Sequence, residues 1–128
     1  MYGGRWNSIG RPVVYLSSSR SLAVLEVLVH LPPTLLPSNY CVATIEVPDD
    51  MQAITINQLP RNWKEYPEPA QLKQYGDRFI KDSKHLLLRV PSAIVKEEFN
   101  YLLNPVHPLI SKVKLVNKQD FAFDERLL

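Results

Sequence analysis

The sequence predicts an α+β domain, on three observations: several short runs of β-branched and aromatic residues, one strongly apolar helical stretch, and one weaker helical stretch. The first run, residues 11 to 17, lies between a Gly-rich turn and a Ser cluster and reads as a strand at about 12 to 16. Ser17, Ser18 and Ser19 offer N-caps for a helix through Leu22, Ala23, Leu25, Glu26, Leu28 and Val29, stopping before Pro32 and Pro33. That helix is apolar almost all round, so it is expected to be sandwiched between other elements, where Glu26 and His30 need a reason to be.

Residues 40 to 47 read as a second strand ended by Pro48, and Ala53 to Ile56 as a short third. Leu59 to Pro69 holds Pro60, Pro67 and Pro69 and reads as a loop, with Trp63 either a lid or a plug in the core. Weak helical spacing runs from 70 to 82 through Leu72, Tyr75 and Phe79. Leu86 to Val90 and Ser92 to Val95 look strand-like around Pro91, which implies an edge or a bulge there. Asn104, Pro105, His107 and Pro108 mark a turn. Ile110 to Val116 then alternates as a half-buried strand should, and the tail from Phe121 reads as a last short strand or ordered extension.

Composition bounds the function. With 128 residues, 45% hydrophobic and 22% charged, the chain has the balance of one compact domain. Such a length hides roughly two thirds of the unfolded surface without a disulfide or structural metal. Cys41 is the only cysteine, so an intrachain disulfide is excluded and the cytoplasm is favoured. The N-terminus lacks a signal pattern, and no apolar run approaches the ~18 residues of a membrane span. A net charge of +2, with basic and acidic residues interspersed, gives direct nucleic-acid binding little support. His30, His85 and His107 are too scattered to suggest a metal site.

Three stretches go beyond pattern. Gly3-Gly4-Arg5-Trp6-Asn7-Ser8, continuing through Val13-Val14-Tyr15 and Leu22-Ala23-Val24-Leu25-Glu26-Val27-Leu28-Val29-His30, resembles the N-terminal signature of the RES domain. Leu88-Arg89-Val90-Pro91-Ser92-Ala93-Ile94-Val95 with Asn100-Tyr101-Leu102-Leu103-Asn104-Pro105 resembles its C-terminal signature, and Phe121-Ala122-Phe123-Asp124-Glu125-Arg126-Leu127 its ending. The resemblance implies a single RES domain over 1–128, with an ADP-ribosyltransferase-like fold of small mixed or antiparallel sheets, one buried helix and peripheral helices. Members carry a further segment ahead of the Gly-Gly-Arg-Trp motif, so here that segment is expected to be short or missing. The implied activity is that of a toxin that cleaves NAD by hydrolysis or phosphorolysis and arrests growth. NAD is its substrate and no cofactor is called for. The implied partner is an antitoxin with an Xre-type helix-turn-helix, and homo-oligomerisation is left open.

The family's namesake arginine, glutamate and serine fall on Arg5, Glu26 and Ser92, and its active-site tyrosine on Tyr15. The chemistry suits them. Breaking the nicotinamide–ribose bond builds positive charge on the sugar while the pyridinium leaves neutral. The general acid that other glycosidases need is therefore unnecessary, and one carboxylate facing the cation is enough. Glu26 is that candidate, the alternative being a solvated residue on an exposed strip. Arg5 suits the diphosphate with its paired donors. Tyr15 suits stacking on nicotinamide or, equally, a place in the core. Ser92 suits a ribose hydroxyl or water, or else a turn. Trp6 and Asn7 are expected to shape the pocket mouth and contact the dinucleotide. Two rival functions remain: transfer of ADP-ribose to a protein, and a non-catalytic truncated RES module.

Overall fold

The computed structural model describes residues 4–30 and 40–127. Six strands and two α-helices follow one another along the described residues: β1 Val14–Ser17, α1 Arg20–Leu28, β2 Tyr40–Glu46, β3 Met51–Ala53, α2 Lys73–Asp82, β4 Leu87–Pro91, β5 Phe99–Leu103 and β6 Lys114–Phe121. Four strands form a mixed sheet in the order β1-β5-β4-β3, with β3 parallel to β4 and the other pairs antiparallel. The other two, β2 and β6, pair antiparallel in a separate ribbon with a register shift at Thr44/Ile45. The α+β class with small mixed and antiparallel sheets is therefore as expected.

The mixed sheet carries the core on both faces. Leu88, Val90 and Leu102 point one way, into a cluster with Trp6, Ile54, Trp63, Leu72 and Phe79. Leu87 and Leu103, one residue along, point the other way by strand alternation and pack with Leu86 against Leu16, Met51, Leu109, Ile110 and Val113. Trp63 is thus a core plug. Asn104, fully buried where β5 ends, donates to Ser83 Oγ (3.0 Å) and accepts from Val106 N (3.1 Å), which turns the chain.

Several expectations need correction. Ser19 caps α1 by accepting from Leu22 N (3.1 Å), as expected, but the helix is not sandwiched: only Leu22 is buried, while Leu25, Val27 and Val29 are exposed. It follows the edge strand β1, so only one of its stripes meets the sheet. Pro32 and Pro33, expected to stop it, lie outside the described residues, as do Gly3 and Leu128. The more deeply packed helix is α2, which buries Gly76 and Phe79 behind Leu72.

The expected third strand lies earlier, at Met51–Ala53, because Thr55 and Gln58 form a capping box that starts a helical turn at Ile56. Pro91 ends an interior strand; β3 reaches only to Arg89 on β4, so past it Pro91 has no neighbour requiring its missing N–H on that side. Ser92 to Val95 is a turn, and Glu97 adopts φ +67° to close it. Ile110 is not in a strand. His107 Nδ1 accepts from Leu109 N (3.0 Å) and Pro108 starts a helical turn to Lys112, so β6 begins only at Lys114 and is largely exposed. β5, Phe99–Leu103, is not among the strands read from the sequence.

Candidate active site

The N-terminal loop is tied in place before it offers anything to a ligand. Gly4 and Asn7 bridge each other: Gly4 N donates to Asn7 O (3.2 Å) and to Asn7 Oδ1 (2.9 Å). The Asn7 amide donates onward to Arg11 O (2.8 Å). Helix α2 clamps this loop with residues spaced i, i+3 and i+4 on one face. Lys73 Nζ donates to Gly4 O (2.5 Å), Asp77 accepts from Ser8 N (2.8 Å) and Ser8 Oγ (2.5 Å), and Gly76 lies so close to the Trp6 carbonyl that a Cβ there would overlap it. Glu68, which also contacts Lys73 (3.4 Å), is held below the usual carboxylate range by its own backbone N–H and then by Lys73 and Arg5.

Arg5 projects from this clamped loop, half-buried. Its Nη1 donates to the carbonyls of Trp63 (2.8 Å) and Glu65 (3.1 Å), so the guanidinium is already oriented, and the described hydrogen bonds engage Nη1 alone. Tyr15, on β1, reaches the same loop: its hydroxyl donates to Asn7 Oδ1 and accepts from Trp6 N (3.3 Å). The absence of a side chain at Gly4 makes room for that hydroxyl. Burial of the hydroxyl end pushes the phenol up to about 12, against the lowering effect of the Trp6 N–H, with the Glu68 and Asp77 charges adding to the rise. The residue remains 44% exposed, so Tyr15 offers solvent a ring and not an ionisable oxygen.

A second group forms where α1 passes over the sheet. Glu26 is half-buried, and its Oε2 accepts from Asn100 Nδ2 on β5. Asn100 Oδ1 in turn accepts from Ser17 Oγ (2.6 Å), the hydroxyl of its cross-strand partner. Tyr15 and Ser17 are two residues apart on β1 and so share a face, about 7 Å apart along the strand. The sheet thus brings Tyr15 and Glu26 to one side. Ser92 stands at the same end of the sheet, two residues beyond Val90, the β4 partner of Asn100.

Three residues expected at the pocket have internal work. Trp6, 3% exposed, is a core residue stacked edge-on against Tyr75 at 6.2 Å. Asn7, also 3% exposed, has its oxygen and nitrogen bonded to Gly4, Tyr15 and Arg11, so it builds the loop instead of lining a mouth. Ser92 Oγ accepts from Ile94 N (3.1 Å) and Val95 N (3.0 Å), which shapes the turn after β4. Asn100 was missed: an Asn in Phe-Asn-Tyr-Leu-Leu carries no strand signal, and only the β1–β5 register puts it beside Ser17. A surface cavity of about 360 Å³ between Glu46, Pro48, Ser111 and Lys114 is built from other elements and holds none of these groups.

These features define a class: a small α+β domain in which a clamped arginine loop, a neutral tyrosine and a half-buried helical glutamate attend one mixed sheet. Residues 1–124 match the family model described as RES domain. The chain belongs to the RES-domain family, and its fold is ADP-ribosyltransferase-like. It is 42% identical over 126 residues to Toxin Res of Pseudomonas putida, covering 97% of this chain and 85% of that protein. It is 38% identical over 130 residues to Toxin Res of Photorhabdus laumondii, covering 100% and 83%. The Prs ADP-ribosylating toxin of Sphingobium sp. is 39% identical over 130 residues, covering 98% and 81%.

Proposed function

We propose that this chain is a toxin that consumes NAD by cleaving its nicotinamide–ribose bond, with water or phosphate as acceptor. The observation that carries the reading is the Glu26 carboxylate, turned onto the sheet and hydrogen-bonded there on the face that bears Tyr15, instead of solvated on its helix. In the reaction the C–N bond breaks and its electron pair neutralises the pyridinium nitrogen, so nicotinamide leaves without a proton. The ribose carbon becomes an oxocarbenium-like centre that Glu26 stabilises by its charge. Water adds to that carbon and releases a proton; phosphate adds as an anion. Arg5, with its guanidinium pre-oriented by the Trp63 and Glu65 carbonyls, holds the diphosphate, and the Tyr15 ring stacks on nicotinamide.

The partner in this reading is an Xre-type helix-turn-helix antitoxin and the place of action is the cytoplasm; no helix among the described residues is long and apolar enough to cross a membrane. The decisive variant is Glu26→Gln, alike in shape and uncharged. Turnover falls by at least ~10²-fold, with melting temperature and most NAD affinity kept, and toxicity is lost. Wild-type nicotinamide release from the glutamine variant removes Glu26 from the chemistry.

A second reading, transfer of ADP-ribose to a protein, is favoured by the likeness to the Sphingobium ADP-ribosylating toxin. The same pocket serves both, since only the nucleophile differs. Nicotinamide released from NAD and protein alone supports the first; release only with a macromolecule that becomes labelled supports the second. A folded chain that binds no NAD is a non-catalytic module.

A further inference from the structure

Glu26 sits on a nine-residue helix whose only buried residue is Leu22, so the helix alone does little to fix the direction of a long side chain on its half-exposed flank. What fixes it comes from the sheet, 74 positions along the chain: the amide of Asn100. An Asn amide has a donor end and an acceptor end, and its hydrogen-bond partners decide which way round it lies. Here the carboxylate selects the orientation, and the Ser17 hydroxyl, able to donate or accept, fits it by donating. An ionised carboxylate only accepts, so the N–H end must face Glu26; the Ser17 hydroxyl, with one proton to give, donates to the Oδ1 end at 2.6 Å. Reversing the amide would set its oxygen against the carboxylate. Because Ser17 and Asn100 are direct cross-strand partners, the relay inherits its geometry from the β1–β5 register and not from a mobile side chain.

We infer that Asn100 is the positioning residue for the Glu26 carboxylate and that Ser17 holds the Asn100 amide in place. This rests on the reading of Glu26 as the group that faces the ribose cation. Asn100 binds Oε2 and leaves Oε1 outside the described protein hydrogen bonds, so Oε1 is the oxygen turned to the sugar. Asn100 itself touches no reacting atom. Its loss therefore lowers kcat and leaves KM for NAD nearly unchanged, because a carboxylate misplaced by about 1 Å costs on the order of 10²-fold in rate.

The test uses the whole chain, with nicotinamide release measured at equal folded concentration. Asn100→Asp replaces the donor by an acceptor of the same shape and lowers kcat by about 10²-fold. Ser17→Ala, which frees the amide but keeps its donor, lowers kcat by about tenfold; Ser17→Thr, which keeps the hydroxyl, restores it. Adding Glu26→Gln to Asn100→Asp exchanges donor and acceptor, so the melting temperature recovers while turnover stays lost. An Asn100→Asp enzyme within about threefold of wild type in kcat, or equal kcat for Ser17→Ala and Ser17→Thr, overturns the inference while Glu26 keeps its role. Full turnover in Glu26→Gln alone overturns the reading of the site, and the role of Asn100 with it. Absence of thermal coupling between Asn100→Asp and Glu26→Gln overturns the contact whatever the activity.

Discussion

Replacing Gly76 by alanine tests whether the N-terminal loop owes its position to α2. On an open helix face the change would stabilise the helix by about 1 kcal/mol. At Gly76 a Cβ would overlap the Trp6 carbonyl oxygen and come within 3.1 Å of Leu102 Cδ2. The carbonyl is backbone and cannot rotate away, so the loop must lift from the helix. Overpacking of this kind costs about 1–3 kcal/mol. Lifting the loop also weakens the two Ser8 hydrogen bonds to Asp77, charge-assisted contacts worth about 1.5 kcal/mol or more each when lost from a half-buried place. With both bonds lost and the helix gain subtracted, the net loss is about 3–5 kcal/mol, which lowers the melting temperature of a domain of this size by roughly 9–20 °C. Differential scanning calorimetry gives that shift, with exposed Arg78→Ala on the same helix as a control that moves it little. NAD affinity falls together with stability, since Arg5 rides on the lifted loop. A melting temperature equal to or above wild type in Gly76→Ala refutes the clamp.

Three further outcomes follow from the same contacts. Burial holds the Tyr15 phenol near 12, from 10.0; between those values the folded protein keeps a proton that the unfolded chain releases. The stability this contributes is present below pH 10 and lost as pH rises through about 12, and tyrosinate absorbance compared between wild type and Tyr15→Phe reads it directly. Ser92→Ala strands the Ile94 and Val95 N–H groups and lowers stability by about 1–3 kcal/mol in denaturant titration, while turnover per folded molecule holds; a tenfold loss of turnover without a loss of stability would return Ser92 to the chemistry. Arg5→Lys keeps the charge and loses the planar fork, so calorimetry shows weaker NAD binding; unchanged affinity would confine Arg5 to its Trp63 and Glu65 contacts.

What could be read from the sequence was local. The Ser19 cap, the strand at Tyr40 and the weak helix at 73 to 82 all announce themselves within a few residues, and the Arg5, Tyr15 and Glu26 motifs stand out as blocks. What could not be read depends on partners far along the chain. Asn100 matters because Phe99–Leu103 pairs with β1, a pairing that no residue near Asn100 signals. Trp6 next to Arg5 looks like a pocket residue until α2 supplies Gly76 and Tyr75 to bury it. The helix of Glu26 misled for the opposite reason: apolar residues all round suggest burial, yet an edge strand gives a helix only one surface to cover.

The two ends of the site are supported differently. Arg5 lies on a loop held by Lys73, Gly76 and Asp77 and by the Trp63 and Glu65 carbonyls, so its place is fixed from both sides. Glu26 lies on a helix in which only Leu22 is fully buried. A site built only from those two elements would have a rigid arginine end and a loose glutamate end. The Ser17–Asn100 relay removes the imbalance, because it ties the carboxylate to the centre of the sheet that also carries Tyr15. Register between β1 and β5 is therefore the shared reference for the Tyr15 ring and the Glu26 carboxylate. A slip of one residue there would turn Ser17 and Tyr15 to the opposite face together. The activity should consequently be lost as a unit when that pairing is disturbed, well before the domain unfolds.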